Sequence, residues 1–129
     1  MVSLLIVSHS AKLAAGVKEF VGQVAGGQVR IGAVGGAGDG SLGTSCKRIQ
    51  AKLRQLASPD GVLVLVDLGS AVLSVETAID ALGVSPVLIS DAPLVEGAYL
   101  AAIEASTGSS LQETARAALQ AREMIKIHH

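Results

Sequence analysis

The chain of 129 residues contains no tryptophan, a single cysteine, and two aromatic residues in all, Phe20 and Tyr99. Cys46 alone excludes a disulfide framework and any cysteine-based metal site, and on an apolar helical face it reads as a small core residue. The aromatic poverty leaves no stacking platform for nucleic acid, and the net charge of −1 comes without a basic cluster. Charge is also scarce, 16% of residues against the usual quarter or so. With so little charge to cover the surface, part of the apolar surface is expected to lie against a second subunit. No apolar run approaches the ~18 residues needed to span a bilayer. No basic segment precedes the first apolar stretch, so the N-terminus does not read as a signal peptide, and a cytoplasmic protein is expected. Histidine is scarce as well: His9 is the only one before His128 and His129, which read as tail.

Half of the residues are hydrophobic, mostly Val, Leu, Ile and Ala, and they fall into short runs alternating with helical periodicities. Val2–Val7 and Val29–Val34 read as strands. "GVLVLVDLG" is apolar on both faces, as a central parallel strand should be, and "PVLIS" is a fourth strand. Between them lie a helix with Leu13, Val17, Phe20, Val21 and Val24 on one face and a second with Cys46, Ile49, Leu53 and Leu56. A third carries Val72, Val75, Ile79 and Leu82 and ends at Gly83 as its C-cap. Two more helices are expected over Leu94–Ser106 and Leu111–Ile125. Repeated β-α units imply right-handed crossovers. The expected fold is one doubly wound α/β domain over residues 1–125, a mainly parallel β-sheet with helices on both faces, followed by a tail over 126–129.

Ligands of such sheets bind beyond the carboxyl ends of the strands. Those ends are Ser8-His9-Ser10, the loop "GGAGDGSLG", Asp67-Leu68-Gly69-Ser70 and Asp91-Ala92-Pro93. His9 sits there among small hydroxylic neighbours, where neutral imidazole can act as a nucleophile. No second internal His or Cys could complete a metal site with it. Asp67 has two roles open to it: a favourable acid near a helix start, or an acceptor that fixes the tautomer of His9. The glycine loop holds a literal G-x-G-x-x-G at Gly38, Gly40 and Gly43. It follows the second strand at a distance, so the tight turn of a dinucleotide fingerprint is missing. Gly43-Thr44-Ser45 and Gly69-Ser70 instead offer helix starts and hydroxyls suited to an anion, of which phosphate is the natural one beside a nucleophilic histidine. No lysine or arginine lies in these motifs, so an ATP-cleaving site is not expected. Arg-His-Gly phosphatases are excluded because Ser8 and Ser10 flank the histidine.

"IVSHS", "GGAGDGSLGTS", "VDLGSA" and "APLVEGAYLAA", in that order, resemble the phosphotransfer subunits of bacterial phosphoenolpyruvate-dependent dihydroxyacetone kinases. Their first domain is similar to the mannose-type enzyme IIA (EIIA) of the sugar phosphotransferase system. The resemblance spans essentially the whole chain. It implies an EIIA-like fold, a homodimer, and a phosphohistidine at His9 beside Asp67, with Gly43, Thr44, Gly69 and Ser70 in the phosphate-surrounding loops. It further implies HPr as donor, the subunit DhaL with bound ADP as acceptor, and DhaK as the holder of dihydroxyacetone. No cofactor or metal is expected on this chain, and magnesium would come with the nucleotide. Because the chain ends after one domain, separate HPr and enzyme I proteins are expected.

"DLGSAVLS" lacks the Trp and Pro usual after the aspartate of the sugar components, which favours the dihydroxyacetone branch. Two alternatives stand beside it. One is a sugar component that donates to an EIIB protein; the other is an anion- or nucleotide-binding module without chemistry. "PLVEGAYLAA" is open between close helix packing and a rim or dimer contact.

Overall fold

The computed structural model describes residues 1–83 and 85–128. Four strands, β1 (Ser3–Ser8), β2 (Ile31–Gly35), β3 (Val62–Val66) and β4 (Val87–Ile89), form one sheet in the order β2-β1-β3-β4. Every neighbouring pair is parallel, with Leu4 beside Ile31, Leu5 beside Val64 and Leu63 beside Leu88. The helices are α1 (Ala11–Val24), α2 (Cys46–Leu56), α3 (Ser70–Asp80), α4 (Leu94–Ser106) and α5 (Leu111–Leu119). Among the described residues no helix is long and apolar enough to cross a membrane. This is the doubly wound α/β architecture expected, and its strand order puts β1 and β3 in the centre.

The pleat divides the core in two. Leu4, Ile6, Leu63 and Leu65 meet α1, α4 and α5 on one face, whereas Leu5, Val7, Val62, Val64 and Val66 meet α2 and α3 on the other. All of β1 and β3 is buried, which is why neither strand could carry the polar alternation of a half-exposed sheet. Each such Val, Leu or Ile contributes about 1.5–3 kcal/mol relative to exposure.

Helix α4 fits against the sheet because its inner face is Gly97, Ala98, Ala101, Ala102 and Ala105. A Cβ on Gly97 would lie 2.7 Å from the Ala92 Cβ, so "PLVEGAYLAA" is close-packing sequence. Its Tyr99 ring stacks on Phe20 of α1, with centroids 6.2 Å apart.

Four local expectations are corrected. The face of α1 is narrower than its apolar pattern: Ala14, Val17 and Val21 are buried, while Leu13, Phe20 and Val24 are exposed. The last helix does not reach Ile125. It ends at Leu119, passes through a 3-10 turn over Gln120–Glu123, and is extended at Met124. The third helix is capped at Ala81, two residues before Gly83. Cys46 is half-buried at the edge of the α2–α3 core rather than inside it. Of the two tail histidines, His129 lies outside the described residues.

Candidate functional site

The chain goes from β1 outward to β2 and then back across to β3, so consecutive connections leave the central pair of strands in opposite directions. A crevice forms where this happens, at the carboxyl ends of β1 and β3. His9 follows β1 and Asp67 follows β3, and the parallel register brings them together although they are 58 residues apart in sequence.

Asp67 collects four donors. Its Oδ2 accepts the Ser8 hydroxyl and the His9 peptide N–H, each at 2.9 Å. Its Oδ1 accepts the Leu68 N–H at 2.8 Å and lies 3.0 Å from His9 Nδ1. Burial pushes the Asp67 carboxyl up, but the hydrogen bonds from the His9 N–H, the Ser8 hydroxyl, the His9 ring and the Leu68 N–H outweigh it. Its pKa is lowered from the ordinary 3.8. An ionised carboxylate can only accept, so Nδ1 of His9 carries the ring proton. The Nε2 of neutral His9 is then a bare lone pair, and it lies 2.9 Å from the Ser70 hydroxyl, which donates to it.

The two serines around His9 have separate tasks. Ser8, fully buried, donates to Asp67 and accepts the Ser10 N–H at 3.0 Å. Ser10 is the N-cap of α1, accepting the Leu13 N–H at 3.2 Å. Ser8 is a positioning residue that sequence reasoning passed over. Its only signal was a hydroxyl at the last strand position, where an apolar residue would otherwise be expected.

The glycine loop is fastened to the histidine. The Gly43 N–H donates to the His9 carbonyl at 2.9 Å, and the Thr44 hydroxyl bonds that of Ser74 on α3 at 2.8 Å. These groups, expected to surround a phosphate, are engaged in holding the start of α2 against His9 and α3. At Gly35 a Cβ would lie 2.5 Å from the Ser10 carbonyl oxygen. Only glycine lets β2 approach the histidine corner so closely. Gly69 is the N-cap of α3, and Ser70, its first residue, reaches the ring through its hydroxyl.

The strand-end motifs hold no lysine or arginine, but two arginines approach the rim. Arg48, from α2, donates to the Gly35 carbonyl at 2.9 Å, and Arg122, from the 3-10 turn, is ion-paired with Asp91 after β4. Both come from helical segments distant from the strand-end motifs. A groove of about 520 Å³ runs beside Asp67, Leu68 and Gly69 toward Asp91, Pro93 and Arg122. Leu42 on the glycine loop, Leu68 between β3 and α3, and Leu73 on α3 are each more than half exposed. Among the described residues no three His, Cys, Asp or Glu side chains come together to hold a metal ion.

An imidazole held by a carboxylate at the crevice of a parallel sheet is the geometry of this site. Residues 3–115 match the model of the EIIA-man family, the PTS system fructose IIA component. The chain belongs to this family.

Within the family it is similar to dihydroxyacetone-kinase subunits. It is 38% identical over 113 residues to "PEP-dependent dihydroxyacetone kinase 2, phosphoryl donor subunit DhaM" of Listeria innocua, covering 85% of this chain and 90% of that protein. It is 36% identical over 129 residues to the corresponding DhaM subunit of Escherichia coli K12, covering 95% of this chain but 27% of that longer protein. A solved structure of EF1359, a protein of unknown function, is 38% identical, with a TM-score of 0.81 over 92% of this chain and 93% of that one. The phosphotransferase system component EIIA of Streptococcus agalactiae shares the fold, with a TM-score of 0.72 at 17% identity over 98% of this chain and 97% of that one. The sequence resemblance and the fold class expected from it are thus both borne out.

Proposed function

We propose that this chain is a phosphohistidine carrier that accepts a phosphoryl group from phospho-HPr on Nε2 of His9. It then passes the group to ADP bound on a DhaL subunit, in support of dihydroxyacetone phosphorylation by DhaK. The observation that carries the proposal is the pairing of His9 Nδ1 with ionised Asp67 at 3.0 Å, which leaves Nε2 bare and turned to Ser70. The names of similar proteins, phosphoryl donor subunits of dihydroxyacetone kinase, support this acceptor system over a sugar-specific EIIB protein.

In the first step the Nε2–P bond forms as the N–P bond of the donor histidine breaks, and the electron pair stays on the donor nitrogen. Nδ1 keeps its proton throughout, and Asp67 stabilises the positive charge that develops on the ring. In the second step a β-phosphate oxygen of ADP takes the phosphorus and Nε2 recovers its lone pair. Such transfers need alignment and charge stabilisation more than proton transfer. The Ser70 hydroxyl and the N-terminus of α3 at Gly69 hold the phosphoryl oxygens, while the Gly43 N–H fixes the backbone of His9 and the Thr44 hydroxyl ties the loop to α3. The exposed Leu42, Leu68 and Leu73 suit a phosphoryl group presented by a protein surface. ADP and magnesium arrive on the acceptor subunit, and the carrier acts as a homodimer in the cytoplasm.

Intact-mass analysis after incubation with phosphoenolpyruvate, enzyme I and HPr tests the first step, and addition of ADP-loaded DhaL tests the second. An acid-labile phosphoryl mass, absent from His9→Ala and discharged by DhaL with formation of ATP, is expected. Uptake without discharge to DhaL but with discharge to an EIIB protein would move the chain to the sugar branch. No uptake from active phospho-HPr would leave an anion-binding module without chemistry.

A further inference from the structure

A second cavity, of about 500 Å³, opens on the opposite side of the His9 corner, between the start of α1 and the glycine loop. Ser10, Lys12, Ser41 and Arg48 line it, together with the loop glycines, and no carboxylate is among its lining residues. Lys12 and Arg48 come from different helices, and both are exposed to solvent. Asp39, the one acid of the loop, is turned onto its own neighbour, accepting the Ser41 N–H at 3.0 Å and the Ser41 hydroxyl.

The cavity's walls are tied to the main chain of His9 and Ser10. Arg48 Nη1 is held by the Gly35 carbonyl, and Gly35 itself abuts the Ser10 carbonyl at the residue after His9. Gly38 lies under the Arg48 side chain, since a Cβ there would be 3.6 Å from Arg48 Cδ. The loop returns to His9 through the Gly43 N–H. The guanidinium uses one of its five donors in this arrangement and keeps the rest for a ligand.

The chemistry of the two transfers differs in charge. When a histidine donor delivers its phosphoryl group, one dianionic group is in play. When a nucleoside diphosphate accepts it, a second polyanion must approach the first. The immediate surroundings of Nε2 supply a hydroxyl, and the nearest charge is the anion Asp67. A cationic cavity whose lining starts at Ser10, next to His9 in the chain, offers the missing positive charge.

We infer that the Lys12–Arg48 cavity is an anion site for the phosphate chain of the nucleoside diphosphate that accepts the phosphoryl group. This rests on the carrier function proposed above and adds to it the residues that serve the second transfer. The nucleotide remains held by its own subunit, and its phosphates enter the cavity when the two proteins dock. No bond is made or broken there: the cations lower the repulsion between the acceptor phosphates and the phosphohistidine.

Single-turnover kinetics on the full chain, charged from phospho-HPr and mixed with saturating ADP-loaded acceptor subunit, tests the inference. Lys12→Gln and Arg48→Gln are each expected to slow discharge about tenfold more than they slow uptake, as loss of one charged contact implies. Arg48→Lys should recover part of the loss. Lys126→Gln removes the same charge on α4's side of the molecule, where Lys126 pairs with Glu96, and should leave the ratio of the two rates unchanged. Equal effects on uptake and discharge would overturn the inference. So would variants whose saturated discharge rate is normal and whose only change is a higher acceptor concentration for half-saturation, which would mean docking of an acidic protein face. A wild-type chain that charges but gives nothing to ADP would remove the nucleotide as acceptor, one that does not charge at all would remove the carrier function, and either would take the inference with it.

Discussion

Asp67→Asn tests the site with the smallest change of shape. The amide replaces one carboxylate oxygen by a donor, yet four donors point at the two oxygens: Ser8 Oγ–H, His9 N–H, His9 Nδ1–H and Leu68 N–H. If the amide nitrogen takes the Oδ2 place, it faces the His9 peptide N–H, and one buried donor loses its partner. If it takes the Oδ1 place, it faces the Leu68 N–H and His9 Nδ1. The ring then relieves the clash by changing tautomer, so that Nδ1 accepts and Nε2 carries the proton. In that form the outward nitrogen has no lone pair to attack phosphorus. Loss of the charge-assisted bond to Nδ1 costs roughly 1.5–3 kcal/mol, which is about 10- to 150-fold in rate. Loss of the carboxylate opposite the developing imidazolium adds to this, so uptake should fall by at least about 100-fold while folding is retained. Rapid-quench measurement of phosphoryl uptake from phospho-HPr, with circular dichroism as the fold control, gives the answer. Uptake within threefold of wild type would refute the role of Asp67 and the tautomer assigned to His9.

Ser8→Ala removes one of the Asp67 donors from a fully buried position and leaves the Ser10 N–H without its acceptor. Uptake should fall about tenfold, with Ser8→Thr recovering most of it, and the ¹⁵N shifts of the His9 ring should report a mixed tautomer. Ser70→Ala loses a single hydroxyl bond to Nε2, so uptake should fall by roughly threefold to tenfold in the same assay. Asp67 is held below its ordinary 3.8, so its ionised form stabilises the fold. That contribution is complete above the unfolded-state value and is lost as the pH falls through the lower folded-state value. Urea unfolding should therefore show wild type losing more stability than Asp67→Asn over that acid range. Gly97→Val places a side chain into Ala92 and Leu65. It should lower the thermal midpoint by several degrees, as overpacking of about 1–3 kcal/mol implies.

The fold was legible because each element carried its own period. β3 is apolar at every position from Val62 to Val66, α4 begins after Pro93, and Ile49, Leu53 and Leu56 are buried on α2, whereas α3 buries Ala71, Val75 and Ala78 and leaves the expected Val72, Ile79 and Leu82 only partly buried. The exposed Leu13, Phe20 and Val24 were not legible as such. Periodicity shows which residues share a side, but the width of the buried strip depends on how closely α1 approaches the sheet and α4. The end of α5 was lost for a related reason. "QARE" after Leu119 continues an acceptable helical composition, and the tighter turn there accompanies the pairing of Arg122 with Asp91 beyond β4.

That His9 and Asp67 share one rim followed from the rule for strand ends of a parallel sheet, while the choice between a partner of His9 and an acid at a helix start stayed open on spacing. What that rule could not supply is the order of the strands, which makes these two ends neighbours. Nor could it show that Lys12 and Arg48, outside every strand-end motif, line one cavity beside the histidine. Gly43 and Thr44 carried the right address and a different task, since their donors hold the loop to His9 and α3.

The central claim is that Nε2 of His9 stores the phosphoryl group while Nδ1 keeps its proton toward Asp67. Long-range ¹H–¹⁵N correlation on ¹⁵N-histidine-labelled protein, recorded before and after charging by phospho-HPr, addresses it directly. Phosphorus coupling at Nε2 of His9, with a protonated Nδ1 in both states, is the result predicted. Phosphorus on Nδ1, or a charged protein whose His9 resonances do not move, would contradict it.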